Sequence, residues 1–171
     1  MLAQQDAGHF VVAFYPGGTS LICGLCHIHL DKVCEGIKTY EMSNPLPVSL
    51  MYGIRDIEAE IATQNLDIHS FVLMLDNIKP DVLHVHTLMG LPLEYLQIVH
   101  DRGIRIVYTS HDYFGLCPKV NFINQNGEVC LGASADRCAV CNAHAKSAMF
   151  LKVRNAKWVV PLKSIARRMK R

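Results

Sequence analysis

Residues 81–110 hold two short apolar runs, DVLHVHT (81–87) and IRIVYTS (104–110), separated by LPLEYLQIVHDRG (91–103). This arrangement limits the fold more than any other feature of the chain. Each run is rich in β-branched residues and reads as a strand buried on both faces. The segment between them reads as a helix that Gly103 stops. Two apolar strands joined through a helix need a crossover connection, which gives a parallel sheet covered by helices. The expected fold class is therefore α/β, a Rossmann-like parallel sheet with flanking helices.

The rest of the chain extends this pattern. HFVVAFYP (9–16), between Gly8 and Pro16, reads as another buried strand, and GIKTYEM (36–42) alternates as a more exposed one. NPLPVSLMYG carries two prolines and should be an extended loop. From Asp56 to Ile78, apolar residues at Ile57, Ile61, Ile68, Phe71, Val72, Leu75 and Ile78 fall on one helical face, and Pro80 ends that helix. A helix is expected from about Ala143 to Asn155, then a fourth buried strand in AKWVVP (156–161), then a basic helix in KSIARRMKR. MLAQQDAG has the look of the last turns of a helix closed by Gly8, with no strand before it. The chain stops in a basic helix that leads nowhere. Both ends are therefore expected to be truncated relative to the parent architecture.

A chain of 171 residues is one ordinary domain, long enough for a sizeable core. Half its residues are apolar and 19% are charged, which is a globular and not a disordered composition. No apolar run reaches the ~20 residues that cross a bilayer, and no signal peptide is visible. The expected compartment is the cytoplasm, where thiols stay reduced. The net charge of +2 gives no sign of a nucleic-acid partner. The basic tail could lie on an anionic membrane as a peripheral contact, although a solvated helix accounts for it more simply.

Seven cysteines are many for such a chain. Four sit in a loop of residues 111–142 with the spacing Cys117-x12-Cys130-x7-Cys138-x2-Cys141. A C-x2-C pair can aim two thiolates at one tetrahedral ion, and two more cysteines would complete the set. A structural Zn2+ held by Cys117, Cys130, Cys138 and Cys141 would pin a long loop that has no core of its own. An Fe–S cluster uses the same ligand type. Disulfides suit a reducing compartment poorly, nothing singles out one thiol as a nucleophile, and inert buried cysteine is common. A second segment, CGLCHIH, offers Cys23, Cys26, His27 and His29 and reads as a variable loop. It could join Cys138 and Cys141 in one site if the two loops met.

The order KPDVLHVHTLMGLP…GIRIVYTSHDYFGLCP, with GHFVVAFYPGG upstream and a downstream C-x2-C, resembles the N-terminal domain of family 4 glycosyltransferases. These are retaining enzymes of the two-domain GT-B architecture. The resemblance covers roughly residues 1–160. It implies that the family's first strand and Gly-rich loop precede Met1. It also implies that the C-terminal donor-binding domain, with its paired glutamates, follows Arg171.

Ligands of parallel α/β sheets bind beyond the carboxyl ends of the strands. His84 and His86 lie near one such end, and His111 and Asp112 near the next. By resemblance, His111 lies in the cleft near the reacting sugar, as the catalytic candidate. His86, His111, Asp112 and Tyr113 are the substrate-binding candidates. His84 and His86 share one face of their strand. They could be metal ligands, but the plainer expectation is His86 bonded to backbone and His84 half buried.

The implied function is transfer of a sugar from a nucleotide-sugar donor to a glycan or lipid-linked acceptor. The resemblance implies no catalytic metal, so a Zn2+ would be structural. The chain alone is expected to bind UDP- or GDP-sugars poorly and to turn nothing over. The rival expectations are a metal-stabilised binding module that works with a partner chain, and a gene remnant without activity.

Overall fold

A computed structural model describes residues 1–20, 22–49, 52–55 and 57–159. In chain order the elements are α1 (Leu2–Asp6), β1 (Val12–Pro16), β2 (Leu25–Cys34), β3 (Ile37–Ser43), β4 (Ile54–Arg55), α2 (Ile57–Thr63) and β5 (Asn65–Leu66). They continue as α3 (Ile68–Ile78), β6 (Val82–Val85), α4 (Leu93–Asp101), β7 (Arg105–Tyr108), α5 (Ala135–Cys141), β8 (Lys146–Ser147) and α6 (Ala148–Arg154). The protein is α/β with mostly parallel strand pairing and flanking helices.

A four-stranded sheet runs β1-β3-β2-β5, and β6 pairs with β7. β1 is parallel to β3, β2 antiparallel to β3, and β6 parallel to β7 with Val82 opposite Arg105 and Val85 opposite Tyr108. β4 and β8 form a separate short parallel pair. Both sheets lean on α3 and α4. Phe71, Met74 and Leu75 of α3 meet Tyr95 and Val99 of α4, with Cys26, Ile28 and Met42 from the larger sheet and Leu83 from β6 against them. Phe71 lies 6.2 Å from Phe14 of β1 and stacks at 4.2 Å on Tyr95. Among the described residues, no helix is long and apolar enough to cross a membrane.

The β6–α4–β7 unit forms where the sequence places it. Lys79 takes a left-handed C-cap (φ 49°) just before Pro80, and Gly103 (φ 70°) follows α4. Gly8 (φ 87°) likewise closes α1. Five expectations are corrected. The helix expected over 56–78 is two helices, because Asn65–Leu66 pair with Leu25–Cys26 and Asp67 then caps α3 by accepting from Ser70 N at 3.1 Å. The segment CGLCHIH belongs mainly to a ten-residue strand, β2, and not to a loop. Glu35 (φ 51°) and Gly36 (φ 79°) turn β2 into β3 as a two-residue hairpin loop.

The apolar runs of β6 and β7 are not buried on both faces. Leu83 and Val85 face the core, while Val82 and His84 are exposed, as are all four residues of β7. No layer covers that outer face among the described residues. In the described part of the strand expected at 156–161, residues 156–159, there is one bridge, Ala156 to Thr19, followed by a turn. The helix expected from Ala143 is shorter, α6, with Ser147 as its N-cap. The basic tail and Pro161 lie outside the described residues.

Candidate functional site

The carboxyl ends of β1, β3 and β6 open to one side. Leu46 N, in the loop after β3, donates to Gly90 O, in the loop after β6, at 3.2 Å. A Cβ built on Gly90 would lie 3.1 Å from the Pro16 side chain at the end of β1. Thr109 N donates to Val85 O at 2.9 Å, which prolongs the β6–β7 ladder and draws the loop after β7 to the same end.

Alternation along β6 puts His84 and His86 on the face opposite Leu83 and Val85. His111 stands beside them, and His86 Nδ1 lies 3.0 Å from His111 Nε2. Their ring planes are nearly parallel, at 15°, with centroids 5.3 Å apart, and the His84 and His86 rings lie 4.1 Å apart. His84 Nε2 is 2.7 Å from the Thr109 hydroxyl. All three histidines are exposed. His86 therefore bonds an imidazole and not the backbone, and His84 is not half buried. His86 is held below the ordinary histidine range, by desolvation first and then by repulsion from His84 and His111.

The next two candidates anchor the loop that follows. Asp112 Oδ1 accepts from Phe114 N at 2.9 Å, and Ser110 Oγ donates to Asp112 O at 2.7 Å. This Asx turn fixes the backbone directly after His111. Tyr113 N donates to Val120 O at 3.1 Å, and its ring meets Phe122 edge-on at 4.6 Å, leaving the side chain half exposed beside the histidines' loop.

The four loop cysteines are half buried and all seven thiols are free. Cys138 and Cys141 lie one turn apart on α5 and not in a tight loop. Cys130 Sγ donates to Gly132 O at 3.2 Å, and Cys141 Sγ lies 4.0 Å from Ile123 O. Among the described residues, no group of three or more His, Cys, Asp or Glu is arranged to hold a metal ion. Cys26 plainly departs from the shared-site expectation. It is fully buried with Sγ 3.7 Å from Tyr95 Oη, while Cys23 is exposed. The two thiols cannot meet one surface ion in this arrangement.

Burial pushes the Cys26 thiol up from 9.0 to about 11. The expected result of native-state alkylation at neutral pH is that Cys23 and Cys34 react at once and Cys26 last, at the rate of unfolding; peptide mass mapping over time checks this. Because the folded value is raised, the contribution of this thiol to stability is intact below pH 9 and is lost as pH rises toward 11.

Sequence reasoning missed a second cluster at the same end. Glu41, on β3, is nine-tenths buried. Its Oε1 accepts from Gly18 N at 3.2 Å and pairs with Lys157 Nζ at 2.8 Å, and its Oε2 lies 3.7 Å from His29 Nε2. Lys157 also donates to Ser43 Oγ at 3.1 Å. One signal was present, Gly17-Gly18 after β1; Glu41 itself lies on the face of β3 opposite Tyr40 and Met42, which pack into the core. A Cβ on Gly17 would overlap the Glu41 side chain, so only glycine lets the carboxylate lie there. Glu41→Ala should lower stability by about 1–3 kcal/mol, since it strands Gly18 N–H. Gly17→Ala should do the same by displacing the carboxylate. Urea unfolding of both single variants and the double variant checks this, because a shared cause makes the double cost less than the sum. Nearby, a cavity of about 140 Å³ is lined by Thr19, Ser20, Asn44, Gln64 and Lys152, among others, but by none of the three histidines. The histidines stand on open surface.

The chain matches no protein-family model, no curated protein and no solved structure.

Proposed function

We propose that this chain is the acceptor-side domain of a retaining GT-B glycosyltransferase of family 4, which moves a sugar from a nucleotide-sugar donor to a glycan or lipid-linked acceptor. The observation that carries the reading is the 3.0 Å approach of His86 Nδ1 to His111 Nε2. It joins the two motifs that carry the resemblance at one point, at the carboxyl ends of adjacent parallel strands, where α/β sheets bind ligands.

The open position of the histidines fits one wall of a cleft whose other wall is a separate donor-binding domain. His111 donates a hydrogen bond to a sugar hydroxyl or to charge that develops as the glycosidic bond to the donor breaks. His86 holds the His111 ring, and the Asp112 turn holds its backbone. Tyr113 offers a half-exposed ring against which a sugar can rest. A Zn2+ in the cysteine loop, if bound, is structural and takes no part in transfer. The reading places the work in the cytoplasm.

The test is mass gain of acceptor glycans incubated with a panel of UDP- and GDP-sugars and the complete product of the gene. The reading expects a gain of one sugar with the anomeric configuration of the donor retained. The 171-residue chain alone is expected to give none.

A further inference from the structure

We infer that His86 and His111 form a two-imidazole binding site for a borderline divalent transition ion, of the Ni2+, Cu2+ and Zn2+ class. The inference does not rest on sugar transfer. Two neutral imidazoles whose nitrogens face each other at 3.0 Å must share one proton between them. Metal–nitrogen bonds of about 2.0–2.1 Å at a tetrahedral angle place two ligand nitrogens roughly 3.3 Å apart. Replacing the shared proton by an ion therefore keeps the nitrogen spacing to within a few tenths of an ångström, while each exposed ring turns by roughly 35° to aim its lone pair at the ion.

The ligands sit on supports that hold this spacing. His86 directly follows β6 and His111 follows β7, and the strands are tied through Thr109 N to Val85 O at 2.9 Å. The Asx turn at Asp112 fixes the loop on the far side of His111. His84 is a packing group and not a third ligand: the Thr109 hydroxyl holds its Nε2 at 2.7 Å, and its ring lies against His86 at 4.1 Å.

No third His, Cys, Asp or Glu completes a ligand set at this point among the described residues. The remaining coordination positions therefore belong to water or to a ligand in the cleft. Imidazole without carboxylate selects Ni2+, Cu2+ and Zn2+ over Mg2+ and Ca2+. An ion bound here takes His111 Nε2 and His86 Nδ1, and so replaces the hydrogen bond between the two rings.

The experiment follows the side-chain imidazole resonances of all nine histidines of the chain while Ni2+ is added below one equivalent. Paramagnetic Ni2+ erases signals close to it, so the readout is site by site, and uptake by the cysteine loop is seen separately. The expected result is early loss of the His86 and His111 ring signals. His86→Gln and His111→Gln each abolish the effect at the remaining partner, while His84→Gln and Cys138→Ser/Cys141→Ser leave it. Backbone spectra confirm that these exposed-site variants fold. The inference is overturned if the His86 and His111 signals persist while others vanish, or if their loss survives either Gln variant. Neither result bears on the transfer assay, so the two readings fail separately.

Discussion

Phe71→Ala should lower the unfolding free energy by about 3–5 kcal/mol, the range for emptying a large aromatic site in a core. Phe71 is 1% exposed. Its ring lies between Phe14 of β1 and Tyr95 of α4, with interplanar angles of 37° and 18°. One side chain thus joins the larger sheet, α3 and α4. Its removal leaves a cavity whose walls belong to three elements, none of which can close it alone. Tyr95 is also the partner of Cys26, so the loss spreads into β2. Leu73→Ala is the control: Leu73 lies two residues away on the same helix, is 46% exposed, and should cost less than about 1 kcal/mol. Urea midpoints measured side by side check both values. Equal losses would mean that α3 does not present Phe71 to the core.

The unit that organises the site was legible in the sequence because its signals are local. Pro80 precedes β6 and Gly103 separates α4 from β7, and Lys79 and Gly103 take the left-handed conformations such ends use. Positions such as His86 and His111 follow once the strand ends are known. β2 was hidden because its buried residues, Cys26 and Ile28, alternate with His27 and His29, and the cysteines drew the reading toward a loop. Its hairpin turns through Glu35, a residue that seldom marks a left-handed turn.

The break at Gln64–Asp67 was hidden for another reason. Ile61 and Ile68 keep helical spacing across it, and only the Asp67–Ser70 cap betrays it. The exposure of β7 could not be read at all, because an apolar run tells nothing of whether another layer covers it. Glu41 was missed because its partners, Gly18 and Lys157, lie far off in the chain.

His111→Asn should reduce kcat of sugar transfer by about 10²–10³-fold, the usual cost of one donor aimed at charge that develops during reaction. Asn keeps a side-chain N–H but is shorter than imidazole, so it does not reach the same point or meet His86 Nδ1. The KM for the nucleotide-sugar should hardly change, because the proposed donor site belongs to the other wall of the cleft. His86→Asn should give a smaller loss, since His86 acts by holding His111. Thermal midpoints should be unchanged in both, because both side chains are exposed.

The most direct test of the central claim is the initial rate of transfer from labelled UDP- and GDP-sugars by the complete gene product, wild type against His111→Asn. The account predicts transfer by the wild type and a drop in kcat, with KM for the donor kept, in the variant. Wild-type kcat in His111→Asn, or no transfer from any nucleotide-sugar, would contradict it.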